Sequence, residues 1–156
     1  MRPIPSWLPD WVKPWEGLHD GDPRTTILEP KRDPIGLWTV GWGHLVSRDP
    51  NAPRPAPITI EEADRLLEED LAKAARSVCR LITVPLTDGQ YAALIDFAYN
   101  CGAGNLQIST LRKVINRGEY DEAPRQFRRW VYAGGVKLRG LVRRRNAEVE
   151  LWNGKF

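Results

Sequence analysis

From Ile60 to Leu81 the chain places apolar side chains at Ile60, Ala63, Leu67, Leu71, Ala74, Val78 and Leu81, always three or four residues apart. That spacing gathers them into one stripe of an α-helix, because residues three and four apart share a face of a helix. Thr59 and Glu62 stand where a capping box needs them, hydroxyl and carboxylate each satisfying an amide left bare at the helix start. Thr87 and Gln90 repeat that pair ahead of YAALIDFAYN and predict another helix there. Further helices are expected over about 107 to 117 with Gly118 as the C-cap, over about 120 to 131, and over about 140 to 152 after the Gly134-Gly135 break.

The first third of the chain is built differently. Eleven of the thirteen prolines precede residue 58, and the Pro-rich run 50 to 57 reads as a stiff connecting loop. Trp7, Leu8, Trp11, Val12 and Trp15 form one face of a short helix that closes at Glu16 and Gly17. The stretch DPIGLWTVGWGH, Asp33 to His44, alternates bulk with glycine and reads as a strand. Its period of two would put Leu37, Thr39, Gly41 and Gly43 on one face, with Trp38, Val40, Trp42 and His44 on the other. The first face is nearly bare backbone, which suits close approach by a ligand. These elements predict an α+β fold in a single domain. A small N-terminal lobe, 1–58, carries a short β-hairpin sheet; a long helix, about 59–81, joins it to a larger C-terminal helical lobe, about 82–156.

Composition narrows the partners. The chain has 156 residues with a formal charge of +3, which favours an anionic partner such as nucleic acid, a membrane surface or a bacterial wall polymer. No apolar run approaches the roughly 18 residues needed to cross a bilayer. The start, MRPIPSWLPDWVKPWEG, is too rich in proline and charge for the apolar centre of a signal peptide, so synthesis in the cytosol and no stable membrane insertion are expected. Cys79 and Cys101 sit in apolar surroundings and are expected to be buried free thiols, a single bridge between them being the alternative. No Cys and His spacing resembles a metal site, and neither metal nor other cofactor is expected.

Three residue types carry candidate chemistry. Glu16 closes an aromatic helix end, where apolar bulk resists ionisation and should raise its pKa. Asp33 stands at a turn, and Thr39 is the hydroxyl on the bare strand face. Two carboxyls in different environments suit cleavage of a glycosidic bond, one protonated to donate to the leaving oxygen, the other ionised to handle water.

WEG at 15 to 17 followed by DPIGLWTVGWGH resembles the catalytic signature of the phage-type lysozymes, the endolysins of glycoside hydrolase family 24. ITIEEADRLLEEDL, VPLTDGQYAALIDFAYNCGAG, STLRKVIN and FRRWVYAGGVKLRGLVRRRNAE resemble further family blocks in the family's order, from about Trp11 onward. The resemblance implies a lysozyme-like fold and hydrolysis of the β-1,4 bond between N-acetylmuramic acid and N-acetylglucosamine in peptidoglycan. Glu16 would be the general acid, Asp33 the carboxylate that holds the attacking water, and Thr39 a neighbour that positions it, with inversion at the sugar. Gly41 and Gly43 would leave room for a sugar ring beside Thr39. Tyr99 and Asn100 would line the cleft, and Arg144 would supply an arginine facing Glu16. A monomer is expected that leaves the host cytoplasm for the wall or periplasm with the help of a holin-like membrane protein.

Two departures stand out. The stretch between Glu16 and Asp33 is about eight residues longer than the common family pattern, and it adds Asp20 and Asp22 as rivals of Asp33. Lys31 stands where the family has an aromatic residue. Other readings remain open beside the resemblance. Tyr99 also fits a core position, Asn100 a helix cap, and His44 a buried histidine bonded to backbone. A lytic transglycosylase would attack the same bond and form an internal anhydro ring. A wall-binding module would keep the fold without catalysis. Nucleic-acid binding is disfavoured because Glu148 and Glu150 interrupt the basic C-terminal run.

Overall fold

The computed structural model describes residues 2–16 and 27–156, and contacts within it divide the chain into two compact units, Trp7–Asp70 and Met1–Ser6 with Leu71–Phe156. The long apolar stripe forms helix α2 (Ile60–Leu81), which belongs to the first unit up to Asp70 and to the second from Leu71.

The first unit opens with helix α1 (Leu8–Glu16), whose Leu8 and Val12 are fully buried and whose Trp11 and Trp15 rings lie 5.8 Å apart. Strand β1 (Ile27–Leu28) pairs antiparallel with β5 (Ile58–Thr59), placing Leu28 in the core. Between them β2 (Lys31–Arg32), β3 (Trp38–Val40) and β4 (His44–Leu45) form an antiparallel sheet in that order. The single strand expected from Asp33 to His44 is therefore two strands. Gly41 and Gly43 take φ of 60° and 87°, and the chain reverses so that Val40 pairs with His44 and Thr39 with Leu45. Positive φ is open to glycine because it lacks a Cβ, so the glycines that looked like gaps on a strand are the hinges of a turn.

The second unit is helical. Helix α3 (Asp88–Cys101) begins with the predicted capping box: Thr87 Oγ1 accepts from the Gln90 amide at 3.2 Å and Gln90 Oε1 accepts from the Thr87 amide at 2.9 Å. Only one arm of the Thr59–Glu62 box forms, Glu62 N donating to Thr59 Oγ1 at 3.2 Å, while Thr59 itself is strand. The helix expected over 107–117 is two, α4 (Ala103–Ile108) and α5 (Thr110–Asn116). Ser109 breaks them by turning extended, with ψ of 149°, and its hydroxyl caps α5 by accepting from Arg112 N. The stripe Leu106, Leu111, Val114 and Ile115 stays buried across the break, which is why periodicity runs straight through it.

A 3₁₀ turn (Tyr120–Glu122) and the short α6 (Ala123–Phe127) replace the longer helix expected to reach residue 131. The chain then forms a hairpin of β6 (Tyr132–Ala133) and β7 (Val136–Lys137), turning on Gly134 and Gly135 with φ of 57° and 78°. Helix α7 (Arg139–Trp152) follows. Leu94, Ile95, Phe97, Phe127, Val149 and Leu151 supply much of this core, with Phe97 edge-on to Phe127 and Trp130. Both cysteines are free, but Cys79 is exposed and Cys101 half-buried, against the expectation that both lie inside. Among the described residues no helix is long and apolar enough to cross a membrane.

Candidate active site

In the first unit the β2–β3 hairpin organises two of the three expected catalytic residues. Lys31 pairs with Thr39 and Arg32 with Trp38, and Asp33 N donates to Leu37 O at 2.8 Å to close the loop. With alternating faces, the paired Lys31 and Thr39 share one side, while Arg32 stacks its guanidinium 4.3 Å from the Trp38 ring on the other. Asp33 follows β2 directly at the start of the loop. Asp33 Oδ1 accepts from the Ile35 and Leu37 amides at 3.0 and 2.8 Å. These bonds fix the carboxylate plane and leave Oδ2 without a protein partner among the described residues. Thr39 Oγ1 donates across the strands to Lys31 O at 3.2 Å. The turn thus occupies only one of the two carboxylate oxygens of Asp33.

Glu16 is half-buried as the last residue of α1. Gly17, Asp20, Asp22 and most of the added stretch, 17–26, lie outside the described residues.

The expectation that Gly41 clears space for a sugar is corrected. A Cβ there would sit 2.7 Å from Ala63 Cβ and 3.1 Å from Ala63 Cα, so Gly41 lets the turn press against α2. Trp42 Nε1 donates to Asp64 Oδ1 at 2.8 Å, and Lys13 Nζ reaches the same carboxylate at 3.1 Å, tying α1, the turn and α2 together. His44 is also corrected: its Nδ1 meets Asp70 Oδ2 at 2.7 Å, a carboxylate instead of backbone.

The second unit gathers Tyr99, Asn100 and Arg144. Arg144 is buried and binds Asp96 through Nε at 3.0 Å and Nη2 at 2.7 Å, a bidentate fork. Its guanidinium carbon stands 6.0 Å from the centre of the half-buried Tyr99 ring. Asn100 does not cap its helix; Gly102 N bonds Ala98 O instead, and Asn100 Oδ1 accepts from Arg145 Nη2 at 2.6 Å. Arg145 also donates to Cys101 Sγ and, at 2.9 Å, to Glu148 Oε2. Its Nε lies 2.8 Å from Glu148 Oε1, close enough for an ionic contact although the angle is too poor for a hydrogen bond.

Asp96, Glu148, Arg144 and Arg145 thus share one interior, where the two carboxyls meet different surroundings. Burial pushes Asp96 up, but the Arg144 charge, a hydrogen bond from Glu148, those from Arg144 and the Arg145 charge together hold its carboxyl below the usual range. Burial raises Glu148 well above the usual carboxylate range, and the charge of Asp96 and their shared bond add to the rise while Arg145 opposes it. Burial likewise lifts the Cys101 thiol, against Arg145, so it stays protonated and donates to Asn100 Oδ1. Of the two carboxyls, Glu148 therefore holds its proton to higher pH and Asp96 ionises first. Neither Asp96 nor Glu148 was expected as a site residue; a lone Asp inside the apolar run YAALIDFAY was the available signal. Among the described residues no group of His, Cys, Asp and Glu has the makings of a metal site.

An α+β chain with paired carboxyl candidates on a helix end and a hairpin, and a helical unit beside them in sequence, has the form of a lysozyme-type glycoside hydrolase. The family model described as phage lysozyme matches residues 22–148. The chain is 41% identical over 125 residues to a SAR-endolysin of Enterobacteria phage PA-2, an alignment covering 79% of this chain and 74% of that one. Among solved structures it is similar to the muramidase domain of SpmX from Asticaccaulis excentricus, with a TM-score of 0.81 and 29% identity over 97% of this chain and 98% of that one. An endolysin from Escherichia coli O157:H7 phage FAHEc1 gives 0.80 and 28%, over 97% and 93%. The chain belongs to the phage lysozyme family. It is a glycoside hydrolase, an endolysin that degrades peptidoglycan.

Proposed function

We propose that the enzyme hydrolyses the β-1,4 bond between N-acetylmuramic acid and N-acetylglucosamine with inversion at the sugar. Glu16 donates its proton to the leaving glycosidic oxygen. A water held by Asp33 Oδ2 gives up a proton to that carboxylate as its oxygen attacks the anomeric carbon from the opposite face. Thr39 orients the water. Inversion needs room for a water between the carboxyls, roughly 6.5–9.5 Å in such enzymes. The observation that supports this reading is the place of Asp33 and Thr39 on one hairpin, with one oxygen of the Asp33 carboxylate spent on the turn and the other left to accept. Gly43, Tyr99, Asn100 and Arg144 contact or orient the glycan. The protein works as a monomer and reaches the wall from the host cytoplasm after a holin-like protein opens the membrane.

Digestion of purified murein in ¹⁸O-labelled water tests the chemistry. One labelled oxygen per new reducing end, entering first as the α-anomer, is the expected result. Anhydro products without label would make it a lytic transglycosylase. Unchanged digestion by the Glu16→Gln variant would remove Glu16 from the mechanism.

A further inference from the structure

Residues 132–140 are exposed without interruption. They include Tyr132, Val136 and Leu138, which keep 62%, 59% and 42% of their surface in water. Around them the chain has no acidic residue between Glu122 and Glu148, while Arg125, Arg128, Arg129, Lys137, Arg139, Arg143, Arg144 and Arg145 all fall in that interval. Arg144 and Arg145 are turned inward to Asp96 and Glu148, and Arg125 is paired with Glu122. Arg128, Arg129, Lys137, Arg139 and Arg143 have no carboxylate partner among the described residues. Some exposed cations elsewhere are paired, as in Arg54–Glu29, Arg65–Glu69 and Arg117–Glu119. The hairpin and its flanks thus carry a run of positive charge that no acidic residue of the interval offsets.

We infer that the β6–β7 hairpin is a docking element for an anionic phospholipid bilayer, lying in the headgroup layer and holding the enzyme reversibly at a membrane surface. The cations match lipid phosphates, which attract a basic cluster over about a Debye length. The apolar side chains decide between possible anionic partners. A hydrated glycan or acidic peptide cannot desolvate Val136 and Leu138, whereas the boundary between headgroups and acyl chains can, and a tyrosine suits that boundary with its ring apolar and its hydroxyl wet. Gly134 and Gly135 give the hairpin a tip with no side chains, so it is narrow enough to enter between headgroups. This role is independent of the cleavage chemistry, and none of these residues belongs to the catalytic set.

Co-sedimentation with vesicles tests it, comparing phosphatidylcholine alone with phosphatidylcholine containing about a quarter phosphatidylglycerol. The full chain should bind the anionic vesicles at low salt and be released at about 0.5 M salt. The double variant Tyr132→Ser/Val136→Ser should lose about tenfold or more in partitioning. Lys137→Glu/Arg139→Glu should lose at least as much. Both should keep the parent's circular dichroism and its turnover of soluble murein fragments. Equal partitioning of parent and variants, equal binding to neutral vesicles, tighter binding to polyglutamate than to vesicles, or self-association through the hairpin in sedimentation would each overturn the assignment.

Discussion

Arg144 and Asp96 are joined by two parallel hydrogen bonds, 3.0 and 2.7 Å long, inside the helical unit, where the arginine side chain is 5% exposed and the aspartate 0%. The pair links α3 to α7 and fixes the orientation of the arginine expected to serve the active site. Removing one partner of such a pair leaves the other charged and unsatisfied, a penalty larger than the pair's net contribution to stability.

Asp96→Asn should therefore destabilise the protein by about 3–5 kcal/mol. The urea midpoint measures it, and a loss under about 1 kcal/mol would mean Arg144 finds another partner. The same carboxylate gives an acid signature. Its folded pKa lies below the ordinary 3.8, so its contribution is present above that value and vanishes as pH falls through the lower folded one.

Glu148 behaves in the opposite sense. Its folded pKa is raised above the ordinary 4.5, so as pH rises from below that value the unfolded chain releases its proton before the folded chain does. Stability attached to this group falls as pH rises through that window. Glu148→Gln keeps a donor toward Asp96 without the protonation cost. Relative to the parent it should gain stability between pH 4 and 7, as read from urea unfolding at both values. A parallel pH dependence for parent and variant would show that Glu148 is ionised in the fold.

At Asp33 one side chain performs two tasks that a single substitution separates. Asn keeps an oxygen for the Ile35 and Leu37 amides but is a poor proton acceptor. Asp33→Asn should leave the melting temperature nearly unchanged while murein hydrolysis falls by about 10²–10⁴-fold. Asp33→Ala should lose the turn as well as the activity. Hydrolysis surviving in the Asn variant would transfer the role to another carboxylate, for which Asp20 and Asp22 are the rivals that the sequence supplies.

Gly41→Ala should cost about 1–3 kcal/mol, because the new methyl meets Ala63 at 2.7 Å and φ of 60° is strained for alanine. Activity and stability should fall together in thermal melts and turbidity assays. A stable but inactive variant would restore the view of Gly41 as a sugar-facing position.

The elements that local chemistry decides were legible in the chain. Helix α2 follows from seven apolar residues in one stripe, and the start of α3 from the Thr87–Gln90 box, because both depend on residues within a turn or two. The catalytic candidates were legible through the resemblance carried by WEG and DPIGLWTVGWGH, and the glycines and the aspartate that shape the hairpin were visible as residue types.

What only the tertiary structure decided are the features in which distant residues compete for one partner. The alternation from Asp33 to His44 fits one strand as well as two; Ala63, pressed against Gly41, and the pairing of Val40 with His44 select the hairpin. Neighbouring residues Arg144 and Arg145 look alike in sequence, yet one clasps Asp96 and the other holds Asn100, Cys101 and Glu148. Local spacing fixes which face a side chain occupies, but the charge it meets there, and hence which carboxyl keeps its proton, is set by residues about fifty positions away.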